Sequence, residues 1–561
     1  MPFNRRDLLK MSAASVASLS LVPPAVAASQ DEQLAALVAS HDDALAGLMR
    51  RQVRDPASPW RGAVMNNHEL YTAHSAADML HACAGAYYQP LSAWHQSPEV
   101  LECARMAAGF LERVQSEDGN IDLLETNFNS PPDTAFVVHK VATAAKLARM
   151  HDDSDMVGLL RVFLRRAGSG MARGGIHTPN HRWVVCAALA QVHELFPRQL
   201  YVDRIDAWLA EGVDLDEEGQ YIERSTGIYN GHVNKALTVV ASKLNRPELL
   251  EPVRTNLDAM AYLIHPNGEV VTEISGRQDA NQPRDMAAYW FPLRYLAMLD
   301  NNGQYATMLA PLEPARMELP AVMEYPDIWG APPAAEPLPD EFTKDYPLTE
   351  MTRIRKGRLS ATLLRRRNAP HLVMHAGEAV VRGIRFASAF FGRGEFLPMT
   401  VEKRPDGLYL RQQLEAQYYQ PLDDPELLPV TRENWGLTRS RRPTSEVCTM
   451  VQGMSIHEVT GGFEVRIRAR GTDNVPLAVE IGLRPGGTLE GGQSAPDGSN
   501  AFLLRGGYAT YAVGGDTLRI GPGKAEHAYT QVRGGAGRLS GLSLYLTGFT
   551  PFEHTFRLEM V

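Results

Sequence analysis

The chain has 561 residues, 44% of them hydrophobic and 22% charged. That length exceeds one ordinary hydrophobic core and points to two or three domains. A formal net charge of −9 removes bulk electrostatic attraction as a reason to expect a nucleic-acid partner.

The first residues read as an address and not as fold. Asn4-Arg5-Arg6-Asp7-Leu8-Leu9-Lys10 carries a twin-arginine pattern, an apolar run covers 11–22, and Ala25-Val26-Ala27 fits a cleavage site. The run is too short to span a bilayer, so no stable membrane insertion is expected. Residues 1–27 are expected to be an export signal, leaving a periplasmic or secreted mature chain.

From residue 28 to about 315 the pattern is helical. Segments near 33–50, 70–88, 98–115, 133–151, 157–167, 181–195, 233–244, 249–264 and 285–299 repeat apolar residues at three- and four-residue spacing. Short Gly, Pro, Asn and Asp connections separate them. Consecutive antiparallel helical hairpins fit an N-terminal α/α toroid, whose loops gather into one cleft. Residues 316–350 hold Pro320, Pro326, Pro332, Pro333, Pro337 and Pro339, a density that predicts a surface linker without regular helix. Beyond it, 359–364, 462–469 and 542–546 show alternation or β-rich composition. A C-terminal antiparallel β-sandwich is expected over 351–561.

Cys83, Cys103, Cys186 and Cys448 are widely spaced and form no C-x-x-C pair, so no zinc site is expected. The first three lie in apolar helical stretches, as buried thiols do. There is no phosphate-binding glycine loop, and neither a nucleotide cofactor nor a metal is expected.

The residues with chemistry lie in the helical half. Asn180 and His181 open a helix after Pro179, with His177 close by. Asn180 reads equally as a helix cap. Tyr229 follows in Glu223-Arg224-Ser225-Thr226-Gly227-Ile228-Tyr229, with Tyr221 as its rival and Glu223 and Asn230 placed to orient it. Asn129 and Asp133 sit in a polar loop before a helix, suited to a hydroxyl-rich ligand, although Asp133 is as good a cap. Arg277 suits a ligand carboxylate, bidentately, or an ion pair with Asp279. Residues 353–385 carry nine basic residues and one acid, Glu378. This bias fits either a polyanion or the solvated face of strands. His371 and His375 lie within it, and Tyr418 and Tyr419 are further aromatic candidates.

The Asn180-His181 pair and the Glu223–Tyr229 stretch resemble the heparinase II/III-like and alginate-lyase-like polysaccharide lyases. There an Asn-His pair opens one helix, and a tyrosine about fifty positions on faces the same cleft. The resemblance favours Tyr229 over Tyr221. It implies an acidic polysaccharide or oligosaccharide substrate, cleaved by β-elimination. Asn180 would bind the uronate carboxylate, and His181 or Tyr229 would remove the proton beside it. Tyr229 would protonate the leaving oxygen, and His375 would reach the cleft from the sandwich. A hydrolase reading would need two carboxylates across the cleft, for which Asp133, Glu223 and Glu273 are available. A non-catalytic glycan-binding protein would need only the basic face.

Overall fold

The computed structural model describes residues 30–496 and 500–561; the expected export signal lies outside the described residues. The helical half begins with α1 (Gln30–Arg51), α2 (Ala73–Tyr88), α3 (Pro98–Val114), α4 (Pro131–Met150), α5 (Ser154–Arg173) and α6 (Pro179–Leu195). It continues with α7 (Gln199–Leu209), α8 (Tyr229–Leu244), α9 (Leu250–Met260), α10 (Trp290–Asp300), α11 (Gly303–Leu309) and α12 (Leu319–Glu324). Helix starts follow from local chemistry. Thr72, Ser130, Asp153 and Asn302 each accept an N–H from the first turn, satisfying donors that the helix itself cannot. Pro98, Pro131 and Pro179 stand in first turns, where proline loses no hydrogen bond.

Burial separates two layers. In α6 every residue from Asn180 to Val192 is buried, as befits a helix covered on all sides. In α5 the buried positions Met156, Leu160, Phe163, Leu164, Ala167 and Met171 form one stripe, the signature of an outer helix. α2, α4, α6, α8 and α10 pack in succession as the inner wall, and α3, α5, α7 and α9 back them. The N-termini of α4, α6 and α8 share one end of this wall. Near the other end, Glu324 of α12 meets Lys243 of α8 at 2.7 Å and accepts a hydrogen bond from Thr143 of α4 at 2.6 Å.

The proline-rich stretch departs from the expected linker. α12 lies within it, with Pro320 in its first turn, and Leu319, Pro320, Ala321 and Val322 are buried. Proline is harmless in a first turn, so density alone did not forbid a one-turn helix. α7 was also missed from the sequence, because only Tyr201 and Ile205 are buried in it and its apolar period is weak.

Two short strands, β1 (Ile121–Leu123) and β2 (Asn127–Ser130), form a hairpin before α4. The sandwich then opens with β3 (Glu341–Tyr346), β4 (Met351–Lys356), β5 (Leu359–Leu364), β6 (Leu372–Ala376), β7 (Ala379–Ser388), β8 (Thr400–Arg404) and β9 (Gly407–Tyr419). A short helix, α13 (Trp435–Arg441), precedes β10 (Thr444–Val459), β11 (Gly462–Gly471), β12 (Pro476–Leu483), β13 (Thr488–Glu490) and β14 (Gln493–Ser494). The last strands are β15 (Ala501–Leu503), β16 (Ala509–Val513), β17 (Asp516–Gly521), β18 (Leu542–Phe549) and β19 (Phe552–Met560). A nine-stranded sheet runs β14-β15-β18-β12-β7-β6-β5-β4-β3, and an eight-stranded sheet runs β13-β16-β17-β19-β11-β10-β9-β8. Met374, Ile384 and Phe386 of the first meet Met454, Ile456, Val465 and Ile467 of the second in one core. All six residues of β5 and all five of β6 are buried. A strand is buried on both faces only when both are covered; here the other sheet covers one and the toroid the other.

The basic run at 353–385 makes this junction, and neither sequence reading of it holds for its first residues. Arg353 is fully buried, donating to Ala361 O, Thr362 Oγ1, Ser360 Oγ and Tyr262 O of the toroid. Arg355 donates to Ile264 O, and Arg365 and Arg385 are paired with Asp345 and Glu480. Guanidinium groups carry several donors in a rigid fork, which suits them to bridging carbonyls between domains. Arg484 completes the junction with a bidentate pair to Glu269, both bonds 2.7 Å.

Candidate functional site

The helix starts at the shared end of the inner wall bring Asn180, His181 and Tyr229 to one place with two connecting segments, 216–228 and 272–283. Ser225 accepts the backbone N–H of Tyr229 at 3.0 Å and so starts α8. Its hydroxyl donates to Asp279 at 2.9 Å, and Asp279 also accepts the N–H of Gly227 at 3.0 Å and the hydroxyl of Ser275. The fully buried Asp279 therefore ties the two segments together and is not the partner of Arg277.

Arg277 pairs instead with Glu223, Nη1 to Oε1, at 3.1 Å. The contact lies off the N–H direction, since that oxygen has no directed hydrogen bond. The other Glu223 oxygen accepts from Asn180 Nδ2 at 2.6 Å. Asn180 Nδ2 also donates to Thr178 Oγ1 at 3.1 Å, so both amide protons are engaged, and Oδ1 is buried without a partner among the described residues. Asn180 was expected to offer its amide to a substrate carboxylate; here that amide is taken by Glu223 and Thr178. Burial holds Glu223 above the ordinary carboxyl range, against the opposing pull of Asn180 and Arg277.

Tyr229 stands over this pair. The Arg277 guanidinium is 4.8 Å from its ring centre, and Gln278 donates to its hydroxyl at 2.6 Å. That leaves the phenolic proton free to donate. Tyr229 is partly exposed, whereas Tyr221 is 2% exposed and gives its hydroxyl to Asn234 at 2.8 Å. Tyr221 is therefore a core residue. His181 is 7% exposed, with His177 edge-on at 4.7 Å. Burial first, then the neighbouring His177, lowers its pKa to about 4, so its imidazole is neutral at pH 7.

The remaining candidates divide. Asp133 accepts from Ser130 at 2.5 Å and Asn127 at 2.9 Å in the first turn of α4; Ser130, not Asp133, is the cap. Asn129 is turned away into its hairpin, bonded to Asp118 at 2.9 Å and Ser116 at 2.8 Å. His375 is 2% exposed and stacked on His265 at 3.6 Å. This stack lines a junction cavity of about 220 Å³, together with Thr272, Glu273, Asn281 and Gln282. The ends of the 272–283 segment thus meet His375, while its middle meets Tyr229. His371 is buried and bonded to Leu364 O. Tyr418 is exposed against Phe391.

Sequence reasoning missed Gln278 as a partner of Tyr229, since nothing local marks it. It also missed a stripe of partly exposed side chains on otherwise buried inner helices: His74, Asp78 and His81 on α2, Phe136 and Lys140 on α4, and His232 and Lys235 on α8. Asp78 pairs with Lys140, Lys235 lies 3.3 Å from Glu318, and the His232 ring is 5.7 Å from Phe136 and 6.1 Å from Tyr229. Polar residues at three- and four-residue spacing inside apolar helices were the available signal. The stripe is a polar wall leading away from Tyr229. Among the described residues no group of His, Cys, Asp and Glu has the arrangement of a metal site.

No family model matches the chain, and no curated protein sequence matches it. It is similar to the solved structure of the Streptomyces coelicolor A3 chondroitin AC lyase in complex with chondroitin sulphate, at 13% identity and a TM-score of 0.52. That match covers 94% of this chain and 80% of the other. It is also similar to a Paenibacillus xanthan lyase, at 10% identity and a TM-score of 0.55, over 94% of this chain and 57% of that one. At such identities the likeness is one of fold: a helical toroid followed by a β-sandwich.

Proposed function

We propose that this chain is a polysaccharide lyase that cleaves a uronic-acid-containing glycan by β-elimination, leaving a 4,5-unsaturated uronate end. The observation that carries the reading is the Tyr229 phenol, partly exposed and held between Arg277 and Gln278, beside His181 and the Asn180–Glu223 pair. Its setting in a fold shared with two polysaccharide lyases supports it.

The hard step is removal of H5, because the charge left behind spreads into the uronate carboxylate. A cation at that carboxylate lowers the cost. Arg277 is the group available, and the substrate carboxylate takes the place of Glu223 on it. Displaced from Arg277 when substrate binds, Glu223 takes up a proton from solvent, a change its burial already favours. Tyr229 donates its proton to the departing O4. The guanidinium over its ring and the Gln278 N–H on its oxygen support negative charge there during the transfer. For a substrate with H5 and O4 on one face, the Tyr229 oxygen takes H5 as its own proton passes to O4, and the phenol ends as it began. One with them on opposite faces uses the neutral His181 as base and Tyr229 as acid. The polar wall of α2, α4 and α8 receives the rest of the glycan. On the strength of the motif at Arg5-Arg6, the same proposal puts the mature enzyme in the periplasm or outside the cell.

The test is a panel of acidic glycans followed by ultraviolet absorbance, without added metal or nucleotide. The conjugated unsaturated acid absorbs and hydrolysis products do not. Release of reducing ends with no absorbance change would overturn the lyase reading in favour of hydrolysis.

A further inference from the structure

The outer face of the eight-stranded sheet carries a feature the proposed reaction does not use. β11 reads Gly462-Phe463-Glu464-Val465-Arg466-Ile467-Arg468-Ala469-Arg470-Gly471, and Phe463, Val465, Ile467 and Ala469 are buried. The period of two sends Arg466, Arg468 and Arg470 to the opposite face. Strand register then sets their neighbours. Gly453 of β10 pairs with Arg468 on one side and with Arg411 of β9 on the other. Arg411 and Arg468 thus flank a residue with no side chain, about 10 Å apart across two strand spacings. Gly453 is not there for tight packing: a Cβ added to it would meet only Leu410 O at 3.6 Å. The result is a trough of about 890 Å³ with an open floor and guanidinium walls.

The trough has more positive charge than its own carboxylates neutralise. Five arginines line it against Glu402 and Glu553. Glu553 is shared between Arg466 and Arg468, and Glu402 is paired with Arg404. Arg411 and Arg470 are exposed and form no ion pair among the described residues. Cross-strand pairs on a solvated face ordinarily balance their charges. Here two guanidiniums stay unmatched in a concavity, within a chain of net charge −9.

We propose that this trough is a second glycan-binding surface, which holds the chain of an acidic polysaccharide away from the Asn180–Tyr229 site. Arg411 and Arg470 bind its carboxylate or sulfate groups, and Gly453, Ser455 and Tyr409 form the floor on which sugar rings lie. The choice of a glycan as the polyanion rests on the function proposed above. A surface of this kind raises the local concentration of long substrate and leaves the chemical step unchanged.

Affinity electrophoresis through gels containing alginate, hyaluronan or chondroitin sulfate, with neutral dextran as control, tests it on the full chain. The expected result is retardation by at least one acidic glycan and none by dextran. The double variant Arg411→Glu/Arg470→Glu is expected to bind that glycan at least tenfold more weakly, with an unchanged unfolding midpoint and unchanged turnover of a tetrasaccharide. Arg411→Lys/Arg470→Lys should keep most of the affinity. Equal retardation of parent and double variant overturns the proposal. So does an equal loss of binding to duplex DNA, which would mark the face as merely basic. The two readings fail separately. If no glycan yields the chromophore but the variant still loses retardation, the trough stands and the lyase reading falls; a chromophore with undiminished retardation gives the reverse.

Discussion

Replacing Tyr229 and Tyr221 by phenylalanine, one at a time, should separate catalysis from stability. In Tyr229→Phe the ring remains against Arg277, and one hydrogen bond from the exposed Gln278 is lost. The stability change should stay within about 0.5 kcal/mol. The variant lacks the proposed proton donor, so turnover should fall about a hundredfold to ten-thousandfold, or about 2.7 to 5.5 kcal/mol of barrier. Tyr221→Phe does the opposite. It strips the partner from Asn234 Oδ1, inside a buried relay in which Asn234 donates to Asn256 at 2.8 Å and Asn256 to Gly219 O at 2.7 Å. An orphaned buried acceptor costs about 1–3 kcal/mol, read as a lower urea midpoint, with turnover near normal. The assay pairs initial rates of absorbance increase with urea unfolding of both variants. Near-normal turnover in Tyr229→Phe would refute the assignment. Loss in Tyr221→Phe with no stability change would show that the other phenol acts.

Glu223→Gln keeps an acceptor for Asn180 and removes the charge that competes with substrate for Arg277. KM at neutral pH should fall several-fold with kcat within about threefold of the parent, the gap narrowing at lower pH as Glu223 itself protonates; a hundredfold loss of kcat would instead make Glu223 a participant in proton transfer. Acid should destabilise the fold. His81, His139, His181 and His232 are each lowered to about 4, with burial the leading cause. The unfolded chain then binds more protons than the native one between roughly pH 6.5 and 4, so the stability present above that window is lost as pH falls through it. From pH 7 to 5 each imidazole accounts for roughly 2 kcal/mol, and equal urea midpoints at the two pH values would contradict this. For export, Arg5→Lys with Arg6→Lys should abolish periplasmic yield; undiminished yield would remove the targeting claim.

Much of the architecture was written along the chain. Amphipathic period, caps and first-turn prolines are local, so most inner and outer helices were legible, as was the change to alternating strands near residue 350. The candidate group Asn180, His181 and Tyr229 came from the resemblance of two short motifs; the helix start at Tyr229 itself was not legible, since the apolar period begins only at Val233. What escaped was whatever depends on partners distant in sequence. The basic run looked like a surface, yet Arg353 lies fully buried between domains, bonded to backbone carbonyls that no composition reveals. His375 looked ready to enter the cleft but stacks on His265. Arg277 was open to a uronate carboxylate or to its near neighbour Asp279, and in the fold it pairs with Glu223, 54 positions away.

The sequence by itself determined the type and order of the longer elements, since backbone conformation and burial period are set by residues within one or two turns of each other. The tertiary structure alone decided which charges meet. A carboxylate or guanidinium chooses its partner by distance and by the water it loses, and those are set only when segments far apart in the chain pack together. Glu223 shows this most plainly. In the sequence it is one acid among several; in the fold it is the buried carboxylate that holds both Asn180 and Arg277, the latter against the Tyr229 ring.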